Sequence, residues 1–300
     1  MIREDRAVVL TWKGGLGNQL FQYAAALELA TELGCCGVFV TNLDESHQRL
    51  NELLGTVLEP PSIRLRRRMA LYTPAHPSAV RLMQRLQRKH LMANGQLTQY
   101  DQGPAEAFDP KPHGLSRSSS SFTHISGFFQ HESWFGHALA EVGRRVFEAL
   151  RKDPAYALGV GSTVVAFRRG DYVRLGWELP LWYYEKALTL LPETTERTWI
   201  ISDDQAFAEM ATAWFKQRGI HAESLAGHAD GDDIRDMSVV AAAKQVILSN
   251  STFAWWGVTA GEVSRSGPGP VVVAPERWLP ATVANPLLRP GWHTAGGEFG

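Results

Sequence analysis

The chain contains little cysteine: only two of its 300 residues, Cys35 and Cys36, which are neighbours. Two adjacent cysteines provide neither a disulfide framework nor the spaced ligands of a structural zinc site. They begin an apolar run, so we expect buried thiols in a reducing compartment.

Long apolar stretches are absent as well, and none approaches the ~20 residues of a transmembrane helix. The charged segment Met1–Asp5 precedes only a short apolar run, which is unlike a secretory signal. The formal net charge is −1, which predicts no nucleic-acid partner. Together these features predict a cytoplasmic globular protein.

Acidic residues are missing from one long part of the chain, between Ile63 and Tyr100. The same part, mainly residues 64–89, is rich in basic residues: Arg64, Arg66, Arg67, Arg68, Arg81, Arg85, Arg88 and Lys89. One interpretation is a solvated helix face that is balanced by acids elsewhere. The other is a patch that contacts anionic lipid or a lipid-pyrophosphate acceptor at the inner face of a membrane.

The chain does contain alternating strand and helix patterns. It opens with a strand at 7–12, a helix at 19–33 capped by Gly34, and a strand at 37–41. After residue 155, strands are predicted at 163–167, 198–202, 245–249 and 271–274, and helices at 181–191, 205–217, 234–243 and 252–263. Such alternation predicts an α/β protein with parallel sheets.

Two loops of this pattern suggest a ligand site. Gly14–Gln19 follows the first strand, and its glycines allow a ligand to approach the backbone before a helix N-terminus. Leu20 stands where a dinucleotide fingerprint requires its third glycine, which argues against an NAD-dependent epimerase or reductase. Arg168–Asp171 follows another strand, and adjacent guanidiniums there predict pyrophosphate binding. Asp171 either orients an arginine or acts near the reacting part of the ligand.

Two further loops add polar residues at strand ends. Ser202–Asp204 lacks the spacer of a metal-binding D-x-D motif, so we expect it to bind ligand hydroxyls or to cap the next helix. Ser249–Gly257 places small polar residues at a helix N-terminus, which is typical of an anion site. Its Trp255 and Trp256 are expected to pack inside the protein.

In order and spacing, these four loops resemble the bacterial α-1,2-fucosyltransferases, glycosyltransferase family 11. The likeness runs from about residue 8 to 280, and the part from 42 to 155 adds little. It implies a GT-B fold, with two Rossmann-like domains that face each other across a cleft. It also implies inverting transfer of L-fucose from GDP-fucose to a galactose 2-hydroxyl in polysaccharide biosynthesis, with no cofactor and no metal.

The resemblance also implies domains and roles. Residues 1–155 would form the acceptor domain and residues 156–300 the donor domain. The last helix of the chain would pack back on the acceptor domain. Arg168 would bind the β-phosphate, and Ser251 with Asn250 would bind phosphate as well. Asp233 would accept hydrogen bonds from guanine, and Asn18 would face the fucose and the acceptor.

One position departs from the family. A histidine usually lies two residues before the first arginine, and Ala166 stands there. A related GT-B transferase with a different nucleotide sugar therefore stays open, as does a non-catalytic nucleotide-sugar-binding protein.

The predicted site residues fall into three groups. The catalytic group is Arg168 with the candidate bases Asp171 and Glu178. The acceptor-binding group is Gln19 and Trp177. The donor-binding group is Gly15, Gly17, Asn18, Arg168, Arg169, Asp203, Asp233, Asn250, Ser251, Thr252 and Phe253. The expected partners are a GDP-sugar donor and a galactose-containing glycan acceptor.

Overall fold

The computed structural model describes residues 6–35, 37–40, 49–55, 88–192, 195–225, 233–296 and 299. The chain divides into two compact units, Met1–Leu139 and Ala140–Gly300. This division precedes the one predicted at residue 155, because most of the helix Ala138–Leu150 belongs to the second unit, where Gly143 lies against Val263. Of the basic stretch 64–89, only Arg88 and Lys89 are among the described residues.

The first unit contains a parallel sheet of four strands in the order β2-β1-β4-β3. The strands are β1 Ala7–Thr11, β2 Val38–Val40, β3 Leu97–Asp101 and β4 Phe122–Ser126. The helices are α1 Leu16–Leu33 and α2 Arg49–Leu54, and residues 88–93 are also helical. Single 3-10 turns occur at Pro104–Glu106, Leu115–Arg117 and Glu132–Trp134.

Helix α1 follows from its alanine-rich sequence, and Gly34 ends it in the left-handed conformation with φ 63°. Only glycine adopts this conformation without a Cβ clash, so the predicted cap is confirmed. The helix begins at Leu16, earlier than predicted, because Gly15 serves as an extended N-cap. Gly17 and Asn18 therefore lie in its first turn.

The second unit contains a parallel sheet of six strands in the order β10-β9-β8-β5-β6-β7. The strands are β5 Thr163–Phe167, β6 Thr198–Ser202, β7 Ala222–Ser224, β8 Gln245–Ile247, β9 Val271–Pro275 and β10 His293–Ala295. The helices are α3 Ala138–Leu150, α4 Tyr156–Gly159, α5 Gly170–Leu175, α6 Leu181–Leu188, α7 Gln205–Gln217, α8 Asp233–Ala242 and α9 Thr252–Ser264.

Most predicted elements of the second unit are confirmed, and β5, β6 and α7 have the predicted bounds. Strands β7 and β10 of this unit were not predicted, since they are short and lack a clear apolar pattern. Helix α6 ends at Leu188 rather than at residue 191. The last helix of the described residues is α9, which packs on α8.

Buried aromatic residues hold the second sheet and its helices together. Phe167 of β5 packs on Tyr184 of α6 with ring centroids 4.0 Å apart, and both side chains are buried. Trp255 and Trp256 of α9 are buried as well, which confirms the packing role predicted for them. Burying each such side chain contributes roughly 1.5–3 kcal/mol, so the strand ends that carry the polar loops are rigid supports.

Across the described ranges, no helix is both long and apolar enough to cross a membrane.

Candidate functional site

Three polar loops of the second unit leave its sheet at one edge. Strand β5 pairs in parallel with β6 on one side and with β8 on the other. The carboxyl ends of these neighbouring strands therefore point the same way, and ligands of open α/β sheets bind beyond such ends. Arg168, Asp203 and Ser249 follow these strands, so the sheet topology brings the predicted loops together.

Arg168 is held by two carboxylates. Its Nη1 lies 2.7 Å from Asp203 Oδ2, and its Nη2 donates to Asp171 Oδ1 at 2.6 Å. The guanidinium carbon also lies 5.1 Å from the ring centroid of Tyr172. The side chain is 36% exposed, so it is fixed in orientation yet accessible to a ligand. The ion pair predicted for Asp171 is present.

Asp203 holds the backbone of this turn as well as a side chain. Its Oδ1 accepts a hydrogen bond from the Arg169 backbone N–H at 2.7 Å. A Cβ at position 170 would lie only 2.6 Å from Asp203 Oδ2, so the close approach requires Gly170. The next residue has a separate role, because Asp204 caps α7 by accepting from the Phe207 N–H at 3.0 Å. The capping predicted for this acidic pair is confirmed for Asp204.

The side chain of Arg169 is more buried than that of Arg168. Its guanidinium carbon lies 4.2 Å from the Phe207 ring centroid, and its Nη1 lies 4.0 Å from Glu178 Oε1. The Nε atom of Arg169 and the Oε2 atom of Glu178 are buried, and neither has a hydrogen-bond partner among the described residues. Glu178 therefore keeps an oxygen that is not engaged by a described donor.

The N-terminus of α9 is the third part of the site. Ser249 and Asn250 are fully buried, and their Oγ and Oδ1 atoms have no hydrogen-bond partner in the described part of the chain. Ser251 is the N-cap residue but makes no side-chain capping bond. Thr252 and Phe253 follow in the first turn and are partly exposed. The Ser249 hydroxyl and the N–H groups of a helix N-terminus can donate to a phosphate, whereas Asn250 Oδ1 can only accept a hydrogen bond.

Asn250 also ties this helix end to the arginine loop. Its Nδ2 donates to the Trp177 carbonyl at 2.9 Å, and the Tyr172 hydroxyl donates to the Asn250 carbonyl at 3.4 Å. The Tyr172 and Trp177 rings meet edge to face with centroids 5.5 Å apart. The role of Trp177 in acceptor binding stays a prediction.

Tyr172 is a neutral phenol at physiological pH. Burial raises its pKa to about 12, an effect that the nearby Arg168 opposes and that Asp171 and Asp203 reinforce. A phenol with this pKa holds its proton near neutrality, so Tyr172 can donate a hydrogen bond but cannot act as a base there.

The glycine-rich loop of the first unit has a defined geometry around Asn18. Gly14 has φ 75°, and a Cβ there would lie 2.4 Å from Asn18 Nδ2. Gly14 is therefore required by both its backbone conformation and the close approach of Asn18. Asn18 Oδ1 accepts from Gln130 Nε2 at 3.0 Å. This bond fixes which end of the Asn18 amide faces Gly14.

Gln19 does not fit its predicted role in acceptor binding. Its side chain is 0% exposed, its Nε2 donates to the Gly14 carbonyl and its Oε1 accepts from the Leu50 N–H. A buried amide with both ends bonded to backbone supports the loop and does not present a free group to a ligand. Gln22 supports the same loop, exchanging two hydrogen bonds with the backbone of Lys13.

Gln130 belongs to the turn that follows β4. The strand ends at Ser126, and Phe129 then takes a left-handed conformation with φ 53°, which is uncommon for a bulky residue. Gln102 supports it by accepting from the N–H groups of Phe128 and Phe129 at 3.0 Å and 2.7 Å. Strain of this kind is often found at functional sites.

Asp233 is the first described residue of α8 and is partly exposed, so its predicted contact with guanine stays a prediction.

Of the described side chains, no group of three or more His, Cys, Asp or Glu residues is arranged to hold a metal ion.

No protein-family model matches the chain. The O-antigen biosynthesis glycosyltransferase WbnK of Escherichia coli is 27% identical in an alignment of 139 residues that covers 44% of this chain. The match spans only 43% of the length of WbnK.

Among solved structures, a mutant of Arabidopsis thaliana FUT1 in complex with GDP aligns with a TM-score of 0.51 and 13% identity, covering 92% of this chain and 72% of that one. POFUT1 in complex with GDP aligns with a TM-score of 0.49 and 11% identity, covering 91% of this chain and 99% of that one. The likeness to FUT1 shows the fold, and the predicted α/β fold of the GT-B type is confirmed.

Proposed function

We propose that this chain is an inverting glycosyltransferase that transfers L-fucose from GDP-fucose to a galactose 2-hydroxyl of a glycan, without a metal. The observation that carries this proposal is the placement of Arg168, which two carboxylates orient at the carboxyl edge of the second sheet. The sequence similarity to a glycosyltransferase supports the general activity. The resemblance of four loops to glycosyltransferase family 11 supports the donor and the linkage.

In the proposed reaction, the acceptor oxygen attacks the anomeric carbon of fucose from the face opposite the diphosphate. The bond between that carbon and the β-phosphate oxygen breaks, and GDP leaves with the electron pair. Negative charge then grows on the diphosphate, and a preoriented guanidinium stabilises it more in the transition state than in the ground state. This is the proposed role of Arg168.

The other side chains have proposed roles that follow from their positions. Ser251 and the first turn of α9 bind the same diphosphate. The unsatisfied oxygens of Ser249 and Asn250 accept hydrogen bonds from the bound GDP-fucose. In the first unit, Asn18 binds sugar hydroxyls through the amide that Gln130 orients.

The acceptor proton passes to a carboxylate, for which Asp171 and Glu178 are the candidates. Asp171 is engaged by Arg168 at 2.6 Å, whereas the nearest described cation to Glu178 lies 4.0 Å away. Protonation of Glu178 therefore breaks a weaker ion pair than protonation of Asp171 would, and we propose Glu178 as the base.

The direct test is incubation of the protein with GDP-fucose and a panel of galactose-terminated glycans, with the products measured by mass spectrometry. We expect a mass gain of one fucose on at least one acceptor, unchanged in the presence of a chelator. Loss of activity with the chelator would contradict the metal-independent mechanism. Donor binding without transfer to any glycan, and without slow hydrolysis, would favour a non-catalytic binding protein.

A second candidate is transfer from another nucleotide sugar, and one observation supports it. Ala166, which stands where the resembled family usually has histidine, is buried in β5. Titration calorimetry with GDP, UDP, GDP-fucose and GDP-mannose separates the two candidates. Tight binding of GDP-fucose supports the fucosyl donor, whereas preferential binding of another sugar nucleotide would replace it.

A further inference from the structure

A cluster of charged and polar side chains lies toward the carboxyl edge of the first sheet. We call it the Arg88 cluster, and its members are Thr11, Lys13, Arg88, Asp101 and His124. Thr11 and Asp101 are the last residues of β1 and β3. Lys13 lies in the loop that follows β1, one residue before Gly14.

His124 is the centre of this cluster and is a neutral acceptor. Its Nδ1 lies 2.9 Å from Arg88 Nη2, and its Nε2 lies 2.9 Å from Thr11 Oγ1. Arginine can only donate, so Nδ1 accepts and the ring proton is on Nε2. Burial and the nearby charge of Arg88 lower the pKa of His124 to about 4, and Lys13 adds to this effect. The imidazole therefore provides Arg88 with no balancing charge.

The positive charge of Arg88 has no carboxylate partner among the described residues. No described Asp or Glu lies within 4.0 Å of its guanidinium or of the Lys13 ammonium, and Arg88 Nε is buried without a hydrogen-bond partner. Asp101 attracts the guanidinium only from beyond that distance. Its own carboxylate accepts from Gln99.

A partly buried guanidinium without a carboxylate partner lowers the stability of the folded protein unless an anion pairs with it. Arginine presents planar donors that match phosphate and carboxylate oxygens. The carboxyl edge of a parallel sheet is also where such proteins bind their ligands.

We infer that Arg88 and Lys13 bind an oxyanion, a phosphate or carboxylate group carried by the acceptor molecule. Only the assignment to the acceptor rests on the proposed function; binding of an oxyanion by the cluster does not. The cluster adjoins the loop of Gly14 and Asn18, so an anionic group there would lie near the part of the acceptor that the loop is proposed to contact.

Binding is tested by NMR titration of the full chain with ¹³C-labelled histidine, using inorganic pyrophosphate and, separately, glucuronate. The titration uses an Arg168→Ala background, which weakens competing binding in the second unit. We expect a saturable shift of the His124 resonance, with its pKa rising by about one unit because a bound anion favours the charged ring. The shift identifies which of the two oxyanions the cluster prefers.

Matched variants decide whether Arg88 is responsible. Arg88→Met should abolish the shift, and Lys13→Met, which removes a side chain with no described partner, should weaken binding several-fold. Lys89→Met removes an exposed charge from the adjacent position and should leave the titration unchanged. The inference is overturned if neither anion shifts His124 saturably, or if Lys13→Met and Lys89→Met behave alike.

Kinetics separate this inference from the proposed function. Arg88→Met should raise KM about tenfold for a phosphorylated galactoside and leave KM for the methyl galactoside unchanged, with kcat unaffected for both. Equal effects on the two acceptors would contradict the assignment to the acceptor. No transfer by the unmodified protein to these compounds or to any galactose-terminated glycan of the panel would refute the proposed function and leave the NMR result standing.

Discussion

One carboxylate, that of Asp203, holds both Arg168 and the backbone of the residue after it. Asp203 Oδ2 lies 2.7 Å from Arg168 Nη1, and Oδ1 accepts from the Arg169 N–H at 2.7 Å. Arg168 and Asp203 directly follow the neighbouring strands β5 and β6. The guanidinium is therefore oriented by the sheet itself, as electrostatic stabilisation of a transition state requires.

Replacement of Arg168 should remove turnover and leave the fold intact. We expect Arg168→Ala to lower kcat at least ~100-fold, the range for loss of one transition-state donor. Arg168→Lys should also be poor, because a point charge does not reproduce the planar guanidinium. The measurement is steady-state kinetics alongside thermal unfolding. Arg174→Ala, an exposed arginine of α5, is the matched control; near wild-type turnover in Arg168→Ala would refute the role.

The adjacent acids Asp203 and Asp204 should have separable effects. Asp203→Asn keeps an acceptor for the Arg169 N–H but loses the charge that pairs with Arg168, so kcat should fall about tenfold, equivalent to about 1.4 kcal/mol. Asp204→Ala removes the cap of α7 and should lower the free energy of unfolding by about 1 kcal/mol, with little change in kcat. Kinetics and urea unfolding of both variants check this pair. A loss of kcat in Asp204→Ala, with a loss of stability alone in Asp203→Asn, would contradict these two roles.

The base should be identified by the pH dependence of kcat/KM. We expect Glu178→Gln to lower kcat by roughly 10²–10⁴-fold and to abolish the acidic limb of the profile, since removal of the base removes its titration. Asp171→Asn should keep that limb, because Asp171 is engaged by Arg168. Loss of the limb in Asp171→Asn alone would make Asp171 the base.

Gly14 and Gly15 provide a test of Asn18. Gly14→Ala places a Cβ 2.4 Å from Asn18 Nδ2 at a residue with φ 75°, so it should displace Asn18 and destabilise the loop by about 1–2 kcal/mol. Gly15→Ala meets no atom within 4 Å and has φ −76°. We expect KM for the acceptor to rise in Gly14→Ala and to change little in Gly15→Ala. Similar kinetics in the two variants would contradict a role for Asn18.

Burial of His124 should make the protein less stable as the pH falls. An unfolded histidine binds its proton near pH 6.5, whereas burial, then Arg88 and Lys13, against the opposing charge of Asp101, lower the folded pKa to about 4. Between these values the unfolded state holds more protons. The free energy of unfolding should therefore decrease from about pH 6.5 to about pH 4, by up to ~3 kcal/mol.

Urea unfolding across this pH range measures the effect. His124→Asn should flatten the dependence, and His113→Asn, at an exposed position, should leave it unchanged. An equally steep dependence in His124→Asn would show that other groups cause it.

Local features of this molecule were predictable because neighbouring residues determine them. The cap at Gly34, the end of β5 before Arg168 and the capping by Asp204 depend on backbone conformation within a few residues. Gln19 was predicted wrongly, since its polarity suggested a ligand contact. Its burial depends on Leu50, which lies 31 positions along the chain.

The sequence by itself determined the alternating strands and helices, the polar loops at strand ends and the pair of arginines that points to a diphosphate. The tertiary structure alone decided which of these residues meet, because strand order and register bring distant segments together. Asn18 and Gln130 are 112 positions apart, and Arg88 and His124 are 36 apart. Contacts of this kind leave no periodic pattern in the chain, since they arise from the packing of whole elements.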